Sequence, residues 1–326
     1  MFLPSPNVSP GRRPKLNRDT ELIRLGNASA PRWYGSKLEN LDGYIESLVG
    51  FGATSTELVL HHGPSDERNA SVHVQQPDWQ ATVDRLLSHG LHCDLHASLA
   101  PSFSLRRWQL ESRRLQALYR PLLRFGERVA AQSGSPIVVV IHAANAFEVP
   151  ADINARATTE FLEWALEESG ARDGGLRLAI ELRHDPEKHA ARFDADRAML
   201  RRFVEQFDSD RIGICWDIGN DLQQAKWKDM APVPPGSGFL AQVIHVHAHG
   251  QGPGGDMHYP MLSSREPAAQ WLGLLPGAGY SGSVTLEIRY RLAAARGNPI
   301  EILGKSFQVA REQLRRLEEP GGEPGR

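Results

Sequence analysis

With 326 residues, the chain is long enough to bury one large core or two smaller ones. Its formal net charge of -2, with acidic and basic residues spread along its length, argues against a strongly basic nucleic-acid surface. Two cysteines, Cys93 and Cys215, are too few for a disulfide framework and fit a reducing cytoplasm, and no apolar run approaches the roughly 20 residues of a membrane helix.

In chain order, residues 1–20 hold Pro4, Pro6, Pro10 and Pro14 and the basic stretch from Arg12 to Arg18, and they read as a flexible arm without a secretory pattern. From 21 to 317 short apolar, β-branched runs alternate with longer helical patterns. The expected strands are 22–28, 56–61, 92–99, 137–143, 176–183, 212–218, 241–247 and 283–288, and helical patterns fill gaps such as 78–87, 158–168, 198–207 and 300–317. Ile137-Val138-Val139-Val140-Ile141 is apolar at every position, as expected of a parallel strand covered on both faces. Residues 318–326, with Pro320, Gly321, Gly322, Pro324 and Gly325, read as a flexible tail.

Strict alternation with eight strands predicts a single-domain α/β fold, a closed (β/α)8 TIM barrel. An open doubly wound sheet is the alternative, but no glycine-rich phosphate loop follows an early strand. Gly50-Phe51-Gly52 ends a helix and precedes a strand, the wrong order for a dinucleotide fingerprint.

A barrel of this kind builds its active site where strands end and βα loops begin. His61, His62, His96, His142, Glu181, Asp217, His247 and Glu287 all fall at or near those ends. The strings Ala-Ile-Glu-Leu-Arg (179–183) and Thr-Leu-Glu-Ile-Arg (285–289) each set one carboxylate in an apolar run. Burying it unpaired costs several kcal/mol or forces it to stay protonated, so both call for a cation.

Strand alternation puts Glu181 on one face with Ala179 and Arg183, Glu287 with Thr285 and Arg289, and Asp217 with Cys215 and Gly213. His245, His247 and His249 form their own same-face series. If these faces point into the barrel, mixed carboxylate and imidazole donors suit one divalent ion, Mn, Zn, Co or Mg, while the lack of well-placed thiolates disfavours a structural zinc site. Taken singly, each residue has a plainer reading: a hydrogen-bonded histidine, a Glu paired with Arg183 or Arg289, a solvated histidine edge.

On these residues the chain resembles the xylose isomerase-like TIM-barrel superfamily, which holds sugar isomerases and epimerases and the endonuclease IV type of abasic-site endonuclease. The resemblance spans about residues 21–317. Glu181 in Leu-Ala-Ile-Glu looks like the family's first metal Glu, and Asp217 in Ile-Cys-Trp-Asp-Ile-Gly-Asn looks like the Asp of its Asp-x-x-His motif. His247 in His-Val-His resembles the metal histidine of the next strand, and Glu287 in Val-Thr-Leu-Glu the closing Glu. His96 in Asp-Leu-His-Ala-Ser, His142 in Val-Ile-His-Ala-Ala and the pair in Asp256-Met257-His258 look like further zinc residues of the endonuclease branch. One departure stands out: Asn220 occupies the His position of Asp-x-x-His, which would cost an additional zinc site a strong ligand and leave His258 a substrate-binding or structural role.

The resemblance implies a metal-dependent isomerase or epimerase of a small sugar, sugar phosphate or polyol. Glu181 and Glu287 would take and return a proton across a metal-stabilised enediolate. Arg183 and Arg289, two residues beyond each Glu and about 7 Å nearer the mouth, suit a substrate phosphate or carboxylate, or else neutralise nearby carboxylates. His96, His142, Asn220, His249, Asp256 and His258 are the remaining candidates for substrate or additional metal binding. Trp216 and Trp33 offer an apolar platform for a sugar, with core packing the default for Trp216. A zinc phosphodiesterase on abasic DNA, a sugar or polyol dehydratase, and a non-catalytic binding barrel are the alternatives. Barrels of this kind often pair, so a homodimer is an expected assembly.

Overall fold

The structure is a computed structural model that describes residues 23–29, 33, 40–60, 77–98, 103–145, 149–170, 175–184 and 192–315. The predicted arm and tail, and His61 and His62, lie outside the described residues. Eight strands follow one another in sequence order: β1 (Arg24–Ser29), β2 (Ser55–Val59), β3 (His92–His96), β4 (Ile137–Ile141), β5 (Leu176–Glu181), β6 (Ile212–Asp217), β7 (Val243–Ala248) and β8 (Ser283–Leu286). All neighbours pair in parallel, and β8 closes onto β1. Between them run α1 (Leu41–Gly50), α2 (Pro77–Ser88), α3 (Trp108–Ser133), α4 (Ala151–Glu168), α5 (Arg197–Glu205), α6 (Ile218–Trp227), α7 (Ser237–Leu240), α8 (Pro267–Leu272), α9 (Leu274–Gly277), α10 (Tyr290–Ala294) and α11 (Pro299–Arg315). This is the (β/α)8 barrel that the alternation implies. None of the described helices is long and apolar enough to cross a membrane.

The two faces of each strand differ sharply. Outward residues such as Leu178, Ile180, Ile214 and Trp216 pack with the helices in one large core. Trp216 accordingly stacks on Trp271 and donates its indole N–H to Asp221, away from the barrel interior. Inward, Val138, Val140, Ala179 and Cys215 form a small separate apolar cluster. Much of the remaining interior is polar: Glu57, Asp94, His96, His245, His247 and Thr285 are all buried.

Two local devices aim the site. Pairing between β6 and β7 slips by one residue beside Ile214 and Cys215. Such a bulge re-aims the side chains beyond it, and His245 and His247 follow it along β7. At the end of β6, α6 starts without any intervening loop because Asp217 caps it, accepting from the Asn220 backbone N–H at 2.9 Å.

Candidate active site

The ends of β5, β6 and β7 bring three predicted ligands together under the mouth. Glu181, Asp217 and His247 place ligand atoms within 4.8 Å of one another, and all three residues are buried. Glu287, the residue after β8, lies against the same histidine, with Oε2 3.3 Å from His247 Nδ1 and 3.5 Å from His258 Nδ1.

Glu181 is the most heavily held of these groups. Its Oε2 lies 2.7 Å from His142 Nε2 and 3.2 Å from His96 Nε2, and its Oε1 accepts from Asn220 Nδ2 at 3.2 Å. The two imidazoles differ in charge. His142 accepts from Arg183 Nη1 on its Nδ1 at 2.9 Å, so it is neutral and donates from Nε2. Burial, then the Arg183 guanidinium, hold it below the ordinary imidazole range. His96 faces the Ala97 carbonyl on Nδ1 at 2.7 Å and the carboxylate on Nε2, so both its nitrogens donate. Burial opposes that charge, but the Glu181 and Glu57 carboxylates outweigh it and raise the ring's pKa. Against burial, His142, His96 and His247 keep Glu181 well below the usual carboxylate range.

Asn220 shows what the exchanged histidine position does in this chain. Its amide donates to Asp217 Oδ2 at 2.6 Å as well as to Glu181, while its Oδ1 takes the Nδ1–H of His184. It thus clamps two carboxylates as a donor, where a histidine would have offered a lone pair.

His249 is fully buried, with Nε2 3.3 Å from Asp217 Oδ1 and Nδ1 accepting the backbone N–H of His258 at 3.0 Å. Residue 219 must be glycine to leave room for that ring, because a Cβ there would collide with its atoms. His258 carries a left-handed φ of 59° and packs its ring on His249 at 4.5 Å between centroids. Burial opposes ionisation of Glu287, but His258 and His247 bring its carboxyl down to about 2.

The predicted rim residues fall differently. Arg183 joins His142, whereas Arg289 is exposed and donates its backbone N–H to the His258 carbonyl at 3.0 Å. Asp256 is also exposed, and its carbonyl accepts from Gly252 within the loop after β7. Neither Arg289 nor Asp256 touches the ligand cluster among the described residues. Trp33 packs against Tyr44 and Tyr290.

Sequence reasoning missed the layer beneath. Glu57 on β2 is fully buried and sets one oxygen, Oε2, 2.7 Å from His245 Nε2 and 2.9 Å from His247 Nε2. Asp94 on β3 accepts from His92 Nε2 at 3.2 Å and from the Val138 backbone N–H at 2.7 Å, and its Oδ2 lies 3.7 Å from His245 Nδ1. The signal was present: Glu57 is a lone carboxylate in the run Ser-Thr-Glu-Leu-Val, as Glu181 is in its own strand.

The donor set at the mouth fits a divalent cation. It is buried, mixes carboxylate with imidazole, and leaves His247 Nδ1 without a hydrogen bond among the described residues. Glu181, Asp217, His247 and Glu287 are the residues that would hold it.

A sequence profile of xylose isomerase-like TIM barrels matches residues 45–318. No curated protein matches the chain by sequence. Solved structures share the fold at low identity. A D-tagatose 3-epimerase-like protein superposes with a TM-score of 0.61 at 18% identity, covering 90% of this chain and 100% of its own. The D-allulose 3-epimerase from Methylomonas sp., in complex with D-allulose, gives 0.60 at 15%, with 90% and 97% covered. An L-ribulose 3-epimerase gives 0.59 at 14%, with 93% and 100% covered.

Proposed function

We propose that this chain, which belongs to the xylose isomerase-like TIM barrel family, is a divalent-metal-dependent isomerase or epimerase of a small sugar or sugar phosphate. The observation that carries the proposal is the pair Glu181 and Glu287. They come from β5 and the end of β8, flank Asp217 and His247, and lie close enough for their charges to repel. When bound, a divalent ion would supply Lewis acidity, making the C–H beside a chelated carbonyl acidic.

The chain's own residues supply the proton handling. Both carboxyls are held below the usual range, so each stands ionised as a base at neutral pH. Glu287 is the more open, with 23% of its side chain exposed against 6% for Glu181, and suits the first abstraction. Glu181, fixed by His96, His142 and Asn220, suits return of a proton from the other side of the substrate carbon, relaying the one it takes from His96, whose two nitrogens both carry hydrogen and whose Nε2 stands 3.2 Å away.

Beside Glu181, on the far side of His142, a cavity of about 220 Å³ is lined by Ser98, Ser104, Arg106, His142, Asn145 and Arg183 among others, with no carboxylate among its described lining residues. That composition favours an anionic end group and supports a sugar phosphate over a neutral sugar.

The sugars in the neighbours' names give the first panel. D-allulose, D-tagatose, L-ribulose and ketose phosphates would be incubated in deuterated water with Mn²⁺, Mg²⁺, Co²⁺ or Zn²⁺. The expected result is deuterium at the carbon beside the carbonyl, dependent on metal and lost in Glu181→Gln, with one ion per chain by elemental analysis. No metal-dependent exchange anywhere in the panel would refute the proposal. A second trio, His96, His142 and Glu181, also clusters within 4.8 Å and keeps a zinc phosphodiesterase as the second reading. Incision of an abasic duplex with two or three zinc ions per chain would establish that reading instead.

A further inference from the structure

His247 uses its two ring nitrogens for different neighbours. Nε2 points down the barrel to Glu57 Oε2 at 2.9 Å, and an ionised carboxylate only accepts, so Nε2 carries the proton. Nδ1 turns toward the mouth, 3.3 Å from Glu287 Oε2, and has no hydrogen bond among the described residues. Glu57 itself cannot swing away. The same Oε2 lies 2.7 Å from His245 Nε2, and His245 is wedged between Thr285 Oγ1 at 3.2 Å and Asp94 Oδ2 at 3.7 Å.

We propose that Glu57 is a positioning residue: it fixes His247 as the Nε2–H tautomer and so presents the Nδ1 lone pair to a cation at the barrel mouth, with His245 locking the Glu57 carboxylate in place. The inference rests on the reading of the mouth as a metal site. A ligating imidazole that donates its other N–H to a carboxylate gains a fixed orientation and a more basic donor nitrogen. Glu57 has 0% exposure, so it cannot meet a substrate, and its influence on the mouth runs through His247.

Glu57, His245 and His247 also bring ligand atoms within 4.8 Å of one another, which defines the rival arrangement, an ion held deep in the barrel on Nε2. The tautomer separates the two. In zinc-loaded protein labelled with ¹⁵N-histidine, long-range ¹H–¹⁵N correlations report which nitrogen of each ring bears hydrogen. His247 is identified as the ring whose signals vanish in His247→Gln. Protonated Nε2 with a zinc-shifted Nδ1 is the expected result, whereas zinc on Nε2 or a proton on Nδ1 would overturn the assignment.

Calorimetric titration with Zn²⁺ provides the second readout. Glu57→Gln should weaken binding by about 10- to 100-fold, with partial rescue in Glu57→Asp. Affinity within threefold of the parent in folded Glu57→Gln would sink the positioning role alone. A folded parent that binds no divalent ion would instead remove the metal reading on which it rests. If Glu57→Gln does not fold, the tautomer in the parent protein still decides.

Discussion

Replacing Gly219 with alanine should destabilise the protein, although a glycine within a helix is ordinarily the worse residue by about 1 kcal/mol. Gly219 lies in the first turn of α6, and a Cβ there would collide with the buried His249 ring. That ring has nowhere to retreat: the His258 backbone N–H holds Nδ1 from behind, and Asp217 Oδ1 stands 3.3 Å from Nε2. Overpacking of this kind costs about 1–3 kcal/mol. Separating His249 from Asp217, whose Oδ1 stands 3.3 Å from Nε2, adds to that cost. Set against the helix gain of about 1 kcal/mol, overpacking leaves a net loss of up to about 2 kcal/mol, to which the lost contact adds, opposite in sign to the propensity. Urea unfolding of chelator-treated protein reads it as a lower midpoint at unchanged slope. The same substitution in a His249→Ala background should be neutral or stabilising, because the obstacle is gone, and the double-mutant cycle isolates the clash. A Gly219→Ala single variant as stable as the parent would refute the reasoning, since it would mean that the strand-to-loop segment bearing His249 yields freely.

Two further substitutions test the electrostatics. Asp94 is held at about 2 rather than 3.8, because His92 and His245 overcome the cost of its burial. A depressed carboxyl contributes its stability above the unfolded value and loses it as pH falls through the folded one. Asp94→Asn should therefore cost about 2 kcal/mol at pH 7, with the gap to the parent closing between roughly pH 4 and 2. A gap constant across that range in urea titrations would assign the loss to packing instead. Arg183→Gln removes the guanidinium that, after burial, depresses His142. The His142 pKa should rise in an NMR titration, and affinity for a ketose phosphate should fall more than affinity for the matching neutral ketose. An unchanged His142 together with equal losses for both sugars would count against an anion seat at Arg183.

The barrel was legible because strands such as β4, β5 and β8 are compact β-branched or aliphatic runs, and the eight strand segments alternate with helical patterns that bury against their outer faces. The mouth residues were legible for a related reason: Glu181, Asp217, His247 and Glu287 break those runs at their C-terminal ends, where a barrel places its chemistry. Glu57 and Asp94 break their runs in mid-strand, so the same end-of-strand rule passed them over. Their partners are also distant in sequence, since Glu57 meets His247 across 190 positions. Asp256 lies apart from the cluster for the opposite reason. Its spacing from His258 suggested a pair, but the turn closed by the Gly252 N–H and Asp256 carbonyl leaves that side chain exposed, while the left-handed backbone at His258 sends its ring to His249.

The interior divides by strand in a way that stability alone does not explain. Val138, Val140, Ala179 and Cys215 fill the side lined by β4, β5 and β6 with apolar atoms. Glu57, Asp94, His245 and Thr285 fill the opposite side with groups that must be desolvated. Replacing a buried ionic network by apolar residues of similar volume is often neutral or stabilising by about 1–4 kcal/mol, so a barrel that needed only to fold had a simpler solution for both sides. The polar side is also the one that stands beneath His247. Each of its carboxylates lies one or two contacts from that ring: Glu57 directly, and Asp94 through His245, which shares the Glu57 oxygen. Neither carboxylate is open to solvent. The arrangement therefore trades packing for a fixed imidazole orientation at the one place where a small rotation of His247 would move a lone pair away from Glu181, Asp217 and Glu287.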